Sequence, residues 1–326
     1  MPLPLFAPPP HGCLLGLAPM DDVTDLPFRE LCKSFGADLL TTEFIASEAL
    51  NRDAEKSLRK MRFTPAQRPL GIQIFGADED ELLRCLDIVA RAEPDFIDLN
   101  WGCPMRKVAG RGAGSGILQD IPRMLRLTAA LARRSPLPLT VKTRLAYATG
   151  HPTVADFAEA LQDTGIAALA IHGRTKTQLY SGTADWTLIA RVKANPRIHI
   201  PIFGNGDITT PAQALEARRR YGVDGILIGR AAIGNPWLFA QCRQALLGLP
   251  TAEPTVAERV AVCRRHLHAA AVFKGERTAV FEMRKHYAAY FRGLPGVKPF
   301  RLALTAAPSL ADANLQLDRL LHHFDQ

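Results

Sequence analysis

Residues 95–104 read DFIDLNWGCP. Polar and apolar positions alternate through Asp98 to Asn100, as in a strand with two different faces. The run ends at Asn100, and Cys103 follows on a stiff turn between Gly102 and Pro104. Similar short runs recur along the chain: LLGLAPM (14–20), DLLTTEF (38–44), LGIQIFG (70–76), LTVKTR (139–144), ALAIHG (168–173), IPIFGNG (200–206) and DGILIGR (224–230). With the first they make eight, and the stretches between them, such as DEDELLRCLDIVARA and TVADFAEALQDTG, place apolar residues three and four apart, as helices do. Starts recur about every 30 residues, the length of one strand-helix unit. The expectation is an α/β fold: a (β/α)8 TIM barrel over residues 14–246, since an open doubly wound sheet, the alternative, would use fewer strands.

The flanks read differently. Residues 1–13, rich in proline, are expected to be a loose lead-in, and residues 247–254 a linker. From 255 to 326 only helical patterns occur, so a small all-helical domain is expected there. Within it, residues 274–301 carry seven Lys or Arg against two Glu, a density that suits either a solvated face or a polyanion-binding surface. Across all 326 residues the net charge is +8, and 47% are hydrophobic, ample for a large core. No apolar run reaches the length of a membrane span, and residues 1–12 lack the pattern of a secretion signal. Six cysteines without paired spacing point to a reducing, cytoplasmic location.

In a TIM barrel the active site forms at the C-terminal ends of the strands. Those ends carry Pro19 and Met20, Glu43, Gln73, Asn100, Lys142, His172, Asn205 and Arg230. Polar residues at the ends of apolar strands, in register on one face, imply a ligand pocket. GNGDI after the seventh strand and IGRAA after the eighth supply glycines and Arg230, the chemistry of a phosphate site where this fold usually has one. A lysine in mid-pocket, Lys142, needs an anionic partner. The reduced edge of a flavin ring would provide one, with Gln73 and Asn100 hydrogen-bonding its polar edge, so the set suits flavin mononucleotide (FMN). GRGAGSG (110–116) lacks the spacing of a dinucleotide fingerprint and is expected to be a flexible loop. Cys263, His266 and His268 have no second ligand cluster, so no metal site is expected.

The order of APMDDVTDLPFR, TEF, GIQIFG, DLNWGCP, VKTR, IHGRT, GNGDI, IGRAAIGNPW and RKHYAAYFRG resembles the tRNA-dihydrouridine synthases, and most closely their bacterial B-type subgroup. The resemblance implies an FMN-dependent barrel with a C-terminal helical domain that grips tRNA. It implies that NADPH, or NADH, reduces the flavin, that flavin N5 gives a hydride to uridine C6, and that 5,6-dihydrouridine forms in the tRNA D-loop. Residue by residue, it puts Pro19, Met20, Asp21, Gln73 and Lys142 at the flavin ring. Asn205, Gly206, Asp207, Gly229 and Arg230 match its ribityl and phosphate positions, and His172 matches the histidine of its HGRT segment. Cys103 matches the catalytic cysteine that protonates C5, a role suited to a thiol that stays protonated at neutral pH on a rigid turn. On the substrate side are expected Asn100, Arg174, Arg284 and Lys285. The target base must leave the RNA fold to reach a barrel mouth, which makes the basic stretch 274–301 an expected RNA surface. No protein partner is implied. Another FMN barrel, such as a dihydroorotate dehydrogenase, and a non-catalytic RNA-binding protein are the competing readings.

Overall fold

A computed structural model describes residues 3–325; residues 1–2 of the expected lead-in and residue 326 of the helical segment lie outside the described residues. Nine strands form one parallel sheet: β1 (Leu14–Leu17), β2 (Leu39–Thr41), β3 (Ile45–Ala46), β4 (Leu70–Phe75), β5 (Phe96–Trp101), β6 (Leu139–Arg144), β7 (Ala168–His172), β8 (Ile202–Asn205) and β9 (Gly225–Ile228). The pairing β2–β4 closes the sheet into a barrel of eight, and β3 is a two-residue extension pairing Ile45 with Ile74. All eight expected runs are barrel strands.

Strand parity divides the residues into two cores. Leu15, Ile72, Leu99, Val141, Ile171 and Ile226 face the surrounding helices and belong to the main apolar cluster. Leu14, Leu39, Phe96, Ala168, Phe203 and Leu227 form a separate cluster inside the barrel. Large side chains there need small neighbours: a Cβ on Gly71 would lie 2.1 Å from the Phe96 ring, and one on Gly225 would lie 2.3 Å from the Phe203 ring. The proline-rich start is not loose. A short 3-10 turn, Pro4–Phe6, delivers Phe6 into the N-terminal end of the barrel, where its ring meets Phe96 edge-on at 5.6 Å and Phe203 at 6.0 Å. The plug fills the floor that the two strand phenylalanines leave open, and 2% of it is exposed.

Beyond the barrel lie the helices Val256–Lys274, Glu276–Tyr290, Lys298–Ala306 and Leu310–Phe324. The barrel helix Leu26–Ser34 is the seat for this unit. Its N-cap, Asp25, accepts the Phe28 amide hydrogen at 2.9 Å and also receives the ammonium of Lys274, which bonds Glu282 as well. Phe28 stacks on His266 at 5.3 Å and lies 5.2 Å from His286. Burial drives both imidazoles well below their ordinary pKa, His266 to about 4, so both rings are neutral at physiological pH beside the Lys274 ion pairs.

Candidate active site

A cleft of about 760 Å³ opens at the C-terminal ends of the strands. Of the residues expected at a site, it is lined by Pro19, Met20, Asp21, Asn100, Cys103, Lys142, His172, Asn205, Gly206, Asp207, Gly229 and Arg230. The helical unit contributes Arg292 to the mouth.

The turn carrying Cys103 is fixed from both sides. Asn100 Oδ1 accepts the amide hydrogens of Gly102 at 3.0 Å and Cys103 at 2.7 Å. The Cys103 carbonyl accepts from the Ser115 amide at 3.0 Å and from its hydroxyl at 2.8 Å. Ser115 lies in the glycine-rich segment expected to be a flexible loop. Instead, Gly114–Gln119 is a buried 3-10 helix packed against the cysteine. Gly114 adopts φ +52°, and a Cβ there would lie 2.8 Å from the Cys103 carbonyl oxygen, so only glycine lets the segment close in. Burial raises the Cys103 thiol above its ordinary pKa, with Asp21 adding to the rise and Arg144 and Lys142 opposing it. The thiol is thus held protonated at neutral pH.

One region of the cleft is cationic. Lys142 Nζ donates to Asn205 Oδ1 at 3.1 Å. Burial, and then the neighbouring Arg144 guanidinium, bring the Lys142 ammonium down to about 8, while Asp98 below it acts the other way. Arg144 donates to the Gly102 carbonyl at 2.8 Å, tying β6 to the cysteine turn. Arg230 is half exposed, lies 4.3 Å over the Tyr180 ring and reaches Asp207 at 3.4 Å. Among these cations, burial first and then Lys142 and the arginines push His172 down to about 2, so its ring is neutral. Its buried Nδ1 has no hydrogen-bond partner among the described residues. After β8, Gly206 adopts φ +130° and Asp207 φ +55°; a Cβ on Gly206 would meet Ala184 at 2.7 Å. The Asp207 carboxylate is locked by Arg174 at 2.9 and 2.6 Å and by the Ala184 amide at 2.8 Å. Against the raising effect of partial burial, these bonds hold Asp207 below its ordinary pKa.

A family model described as dihydrouridine synthase (Dus) matches residues 16–324. The chain belongs to this family. It is similar to a tRNA-dihydrouridine synthase B of Xanthomonas campestris pv. campestris, 37% identical over 304 residues, covering 93% of this chain and 91% of the relative. It is 35% identical over 319 residues to a protein of the same name from Pseudomonas syringae pv. tomato, covering 97% and 92%. A probable tRNA-dihydrouridine synthase of Rickettsia conorii is 36% identical over 290 residues, covering 88% and 87%. The enzyme is therefore a flavin-dependent oxidoreductase of tRNA, as dihydrouridine synthases are, and the dihydroorotate dehydrogenase and non-catalytic readings fall away. Among the described residues, no helix is long and apolar enough to cross a membrane.

Three residues expected at the site lie away from the cleft in this dihydrouridine synthase, and a fourth, Lys285, meets its rim. Gln73 is fully buried beneath Asn100 and faces the barrel interior rather than the cleft wall. Arg174 was expected on the substrate side; it is 2% exposed, with its guanidinium donating to Asp207, Ser181 and Gly182. Its position one residue past a strand-end glycine turns it under the loop, away from the mouth. Lys285 donates to the Asp22 carbonyl at the cleft rim, whereas Arg284, on the same helix, packs 5.1 Å over the Phe281 ring. The sequence reading assigned no role to Arg144, in VKTR, to Ser115, in GRGAGSG, or to Tyr180, whereas Arg292 lies in the basic stretch 274–301 expected to meet RNA. Tyr180 and Ser115 come into place only through loops that fold back on the strand ends. Cys263, His266 and His268 do not converge: His266 meets Tyr290 at 3.1 Å and His268 meets Asn314 at 3.2 Å. At the cleft rim Asp21, Asp22 and Glu43 gather within 4.8 Å, but Lys60 already bonds Asp21 at 2.5 Å and Glu43 at 3.3 Å.

The cleft suits a flavin by its chemistry. It combines a buried imidazole nitrogen without a partner among the described residues, a buried ammonium with its pKa lowered to about 8, an exposed guanidinium and a glycine-bearing loop that presents backbone.

Proposed function

We propose that the enzyme binds FMN in this cleft and makes 5,6-dihydrouridine in the D-loop of tRNA, with Cys103 as the proton donor. The observation that carries the reading is the presence, in one cleft, of a thiol clamped by Asn100 and Ser115 and a cationic set of Lys142, Arg144 and Arg230. FMN, once reduced by NADPH or NADH, would supply the hydride for C6 of the uracil ring. Pro19, Met20, Asp21 and Lys142 would flank its ring, with His172 Nδ1 offering a hydrogen-bond partner. Gln73 would act from beneath, through Asn100. Asn205, Gly206, Asp207, Gly229 and Arg230 would hold the ribityl chain and phosphate, where Arg230 has an exposed guanidinium to give.

Cys103 Sγ would deliver its proton to C5 while Asn100 holds the turn in place. The thiolate that forms would lie near Lys142 and Arg144, which favour its charge, and burial, which raises the thiol's pKa, would favour its reprotonation from solvent. Arg292 and the basic stretch 274–301, including Arg284 and Lys285, would receive the RNA, and Arg174 would act through Asp207 rather than on substrate. The unit 255–326 would then be the tRNA-binding part, joined by 247–254 to a catalytic barrel, 14–246. The cytoplasm, where tRNA and reduced nicotinamide meet, would be its location.

Replacing Cys103 by Ala tests this directly. Flavin reduction by NADPH should run at the wild-type rate, whereas reoxidation by tRNA should slow by about 10²–10⁴-fold, the usual contribution of a positioned acid. Stopped-flow absorbance follows both steps. Normal reoxidation by tRNA would show that Cys103 is not the acid, and loss of both steps would make it a structural residue only.

A further inference from the structure

A continuous line of buried hydrogen bonds runs from the middle of the barrel to the cysteine turn. Thr140 Oγ1 donates to Asp98 Oδ1 at 2.5 Å, and Gln73 Nε2 donates to Asp98 Oδ2 at 2.5 Å. Asn100 Nδ2 donates to Gln73 Oε1 at 2.8 Å, and Asn100 Oδ1 accepts from the amides of Gly102 and Cys103. Each link has one permitted polarity. A carboxylate only accepts, so Gln73 must turn its NH2 group down to Asp98. Its carbonyl then faces Asn100, which must answer with its own NH2, and this leaves the Asn100 carbonyl for the two amide hydrogens of the turn. If Gln73 were reversed, Asn100 would reverse too and set its NH2 against the Cys103 N–H.

We propose that Asp98 is a positioning residue for proton delivery: it sets the orientation of two successive side-chain amides and, through them, the direction of the turn that carries the Cys103 thiol. The inference rests on the reading of Cys103 as the proton donor. Asp98 is buried two residues below Asn100 on β5, Gln73 is fully buried and Asn100 is 5% exposed at the cleft, so solvent competes little for either amide. Burial raises Asp98 above its ordinary pKa, while the bonds from Thr140 and Gln73, with Lys142 nearby, oppose the rise.

Two substitutions separate the hydrogen bonds from the charge. Asp98→Asn keeps the polarity: its carbonyl accepts from Gln73 and its NH2 donates to Thr140 Oγ1, whose hydrogen can turn to the Ile97 carbonyl at 3.4 Å. Asp98→Ala removes the anchor. With the full-length, flavin-loaded enzyme in its reduced state, Asp98→Ala should slow reoxidation by tRNA about 10–100-fold, as small misplacements of reacting groups do. Reoxidation by dioxygen, which needs no thiol, should be unchanged, and Asp98→Asn should restore the tRNA rate. A normal tRNA rate in Asp98→Ala overturns the proposal. So does an Asp98→Asn variant as slow as Asp98→Ala, since charge alone would then matter. If Asp98→Ala fails to fold, Gln73→Met breaks the next link: selective slowing with tRNA supports the relay, and an unchanged rate overturns it. Alkylation of Cys103 by iodoacetamide in the oxidised holoenzyme, followed by mass spectrometry, gives a readout independent of RNA. Its rate should change about threefold or more in Gln73→Met and stay at the wild-type value in Asp98→Asn; equal rates in both variants overturn the positioning role. A wild-type enzyme that no tRNA reoxidises would defeat the functional reading while leaving this alkylation comparison intact.

Discussion

Arg174→Met should damage the protein's stability and its hold on flavin, not its affinity for RNA. The side chain makes four hydrogen bonds: to both Asp207 oxygens at 2.9 and 2.6 Å, to the Ser181 carbonyl at 3.0 Å and to the Gly182 carbonyl at 2.6 Å. Methionine fills comparable space but leaves all four acceptors without their donor. Deleting one partner of a buried ion pair costs about 3–5 kcal/mol. Asp207 keeps 30% of its side chain exposed and retains the Ala184 amide, so water and that bond recover part of the loss, and about 2–3 kcal/mol is the working figure. Gly206 and Asp207 both have positive φ, and their conformation needs the clamp; freeing it should weaken flavin retention by roughly tenfold. Arg174→Lys should rescue little, because one ammonium cannot span a carboxylate and two carbonyls on different sides. Urea unfolding gives the stability change, flavin absorbance after dialysis gives the retention, and tRNA titration gives the affinity. A stability change below about 0.5 kcal/mol, together with weakened tRNA binding, would show that Arg174 leaves Asp207 and faces substrate.

Replacing Arg284 and Lys285 together by alanine should lower the salt slope of tRNA binding by about one to two units, with flavin reduction by NADPH unchanged; an unaltered slope would make the basic helix a solvated face. Neutral buried His172 stabilises the fold fully above its ordinary 6.5, and this stabilisation falls as pH drops toward its folded value of about 2, because the unfolded chain takes up the proton first. His172→Gln should therefore flatten the pH dependence of urea unfolding below pH ~6 by up to about 1.4 kcal/mol per pH unit, and an equally steep variant would refute the assignment. Phe6→Ala should cost about 3–4 kcal/mol in the same assay, since it empties the barrel floor between Phe96 and Phe203; a loss under about 1 kcal/mol would mean the plug does not seat in solution.

What was legible in the sequence was local. Strand alternation is written into each run of residues, so all eight barrel strands and the polar strand ends could be read without knowing which strand touches which. Phe6 could not, because its burial depends on Phe96 and Phe203, residues some 90 and 200 positions away that barrel closure brings together. The glycine-rich segment 110–116 reads as a loop because it lacks the spacing of a dinucleotide fingerprint, whereas Gly114 lets the chain approach the Cys103 carbonyl closely. Arg174 and Gln73 show the same limit in another form. Gln73, expected at a strand end, lies inside β4, Arg174 lies in the loop after β7, and which way each side chain turns is decided by acceptors from other strands and loops. For Gln73 these are Asp98 and Asn100; for Arg174 they are Asp207 and the carbonyls of its own loop.

The barrel interior changes character in steps of two residues, and this ordering explains why one wall can hold so many cations. On β5 the inward positions run Phe96, Asp98, Asn100; on β6 they run Thr140, Lys142, Arg144. A step of two residues is about 6.6 Å of rise, so each layer of one strand meets a different layer of its neighbour across the stagger of the sheet. Asn100 pairs in register with Lys142, and Asp98 pairs with Thr140 one layer down. The carboxylate therefore lies beneath the ammonium, where it favours the charged form that burial and Arg144 disfavour, and together these effects set the Lys142 pKa at about 8. A one-residue slip of β6 would turn Val141 inward and Lys142 out among the helices, burying an unpaired charge in the apolar shell. The same parity that packs Phe96 on the floor thus sends Asn100 and Lys142 to the mouth, so floor and active site cannot be repacked independently.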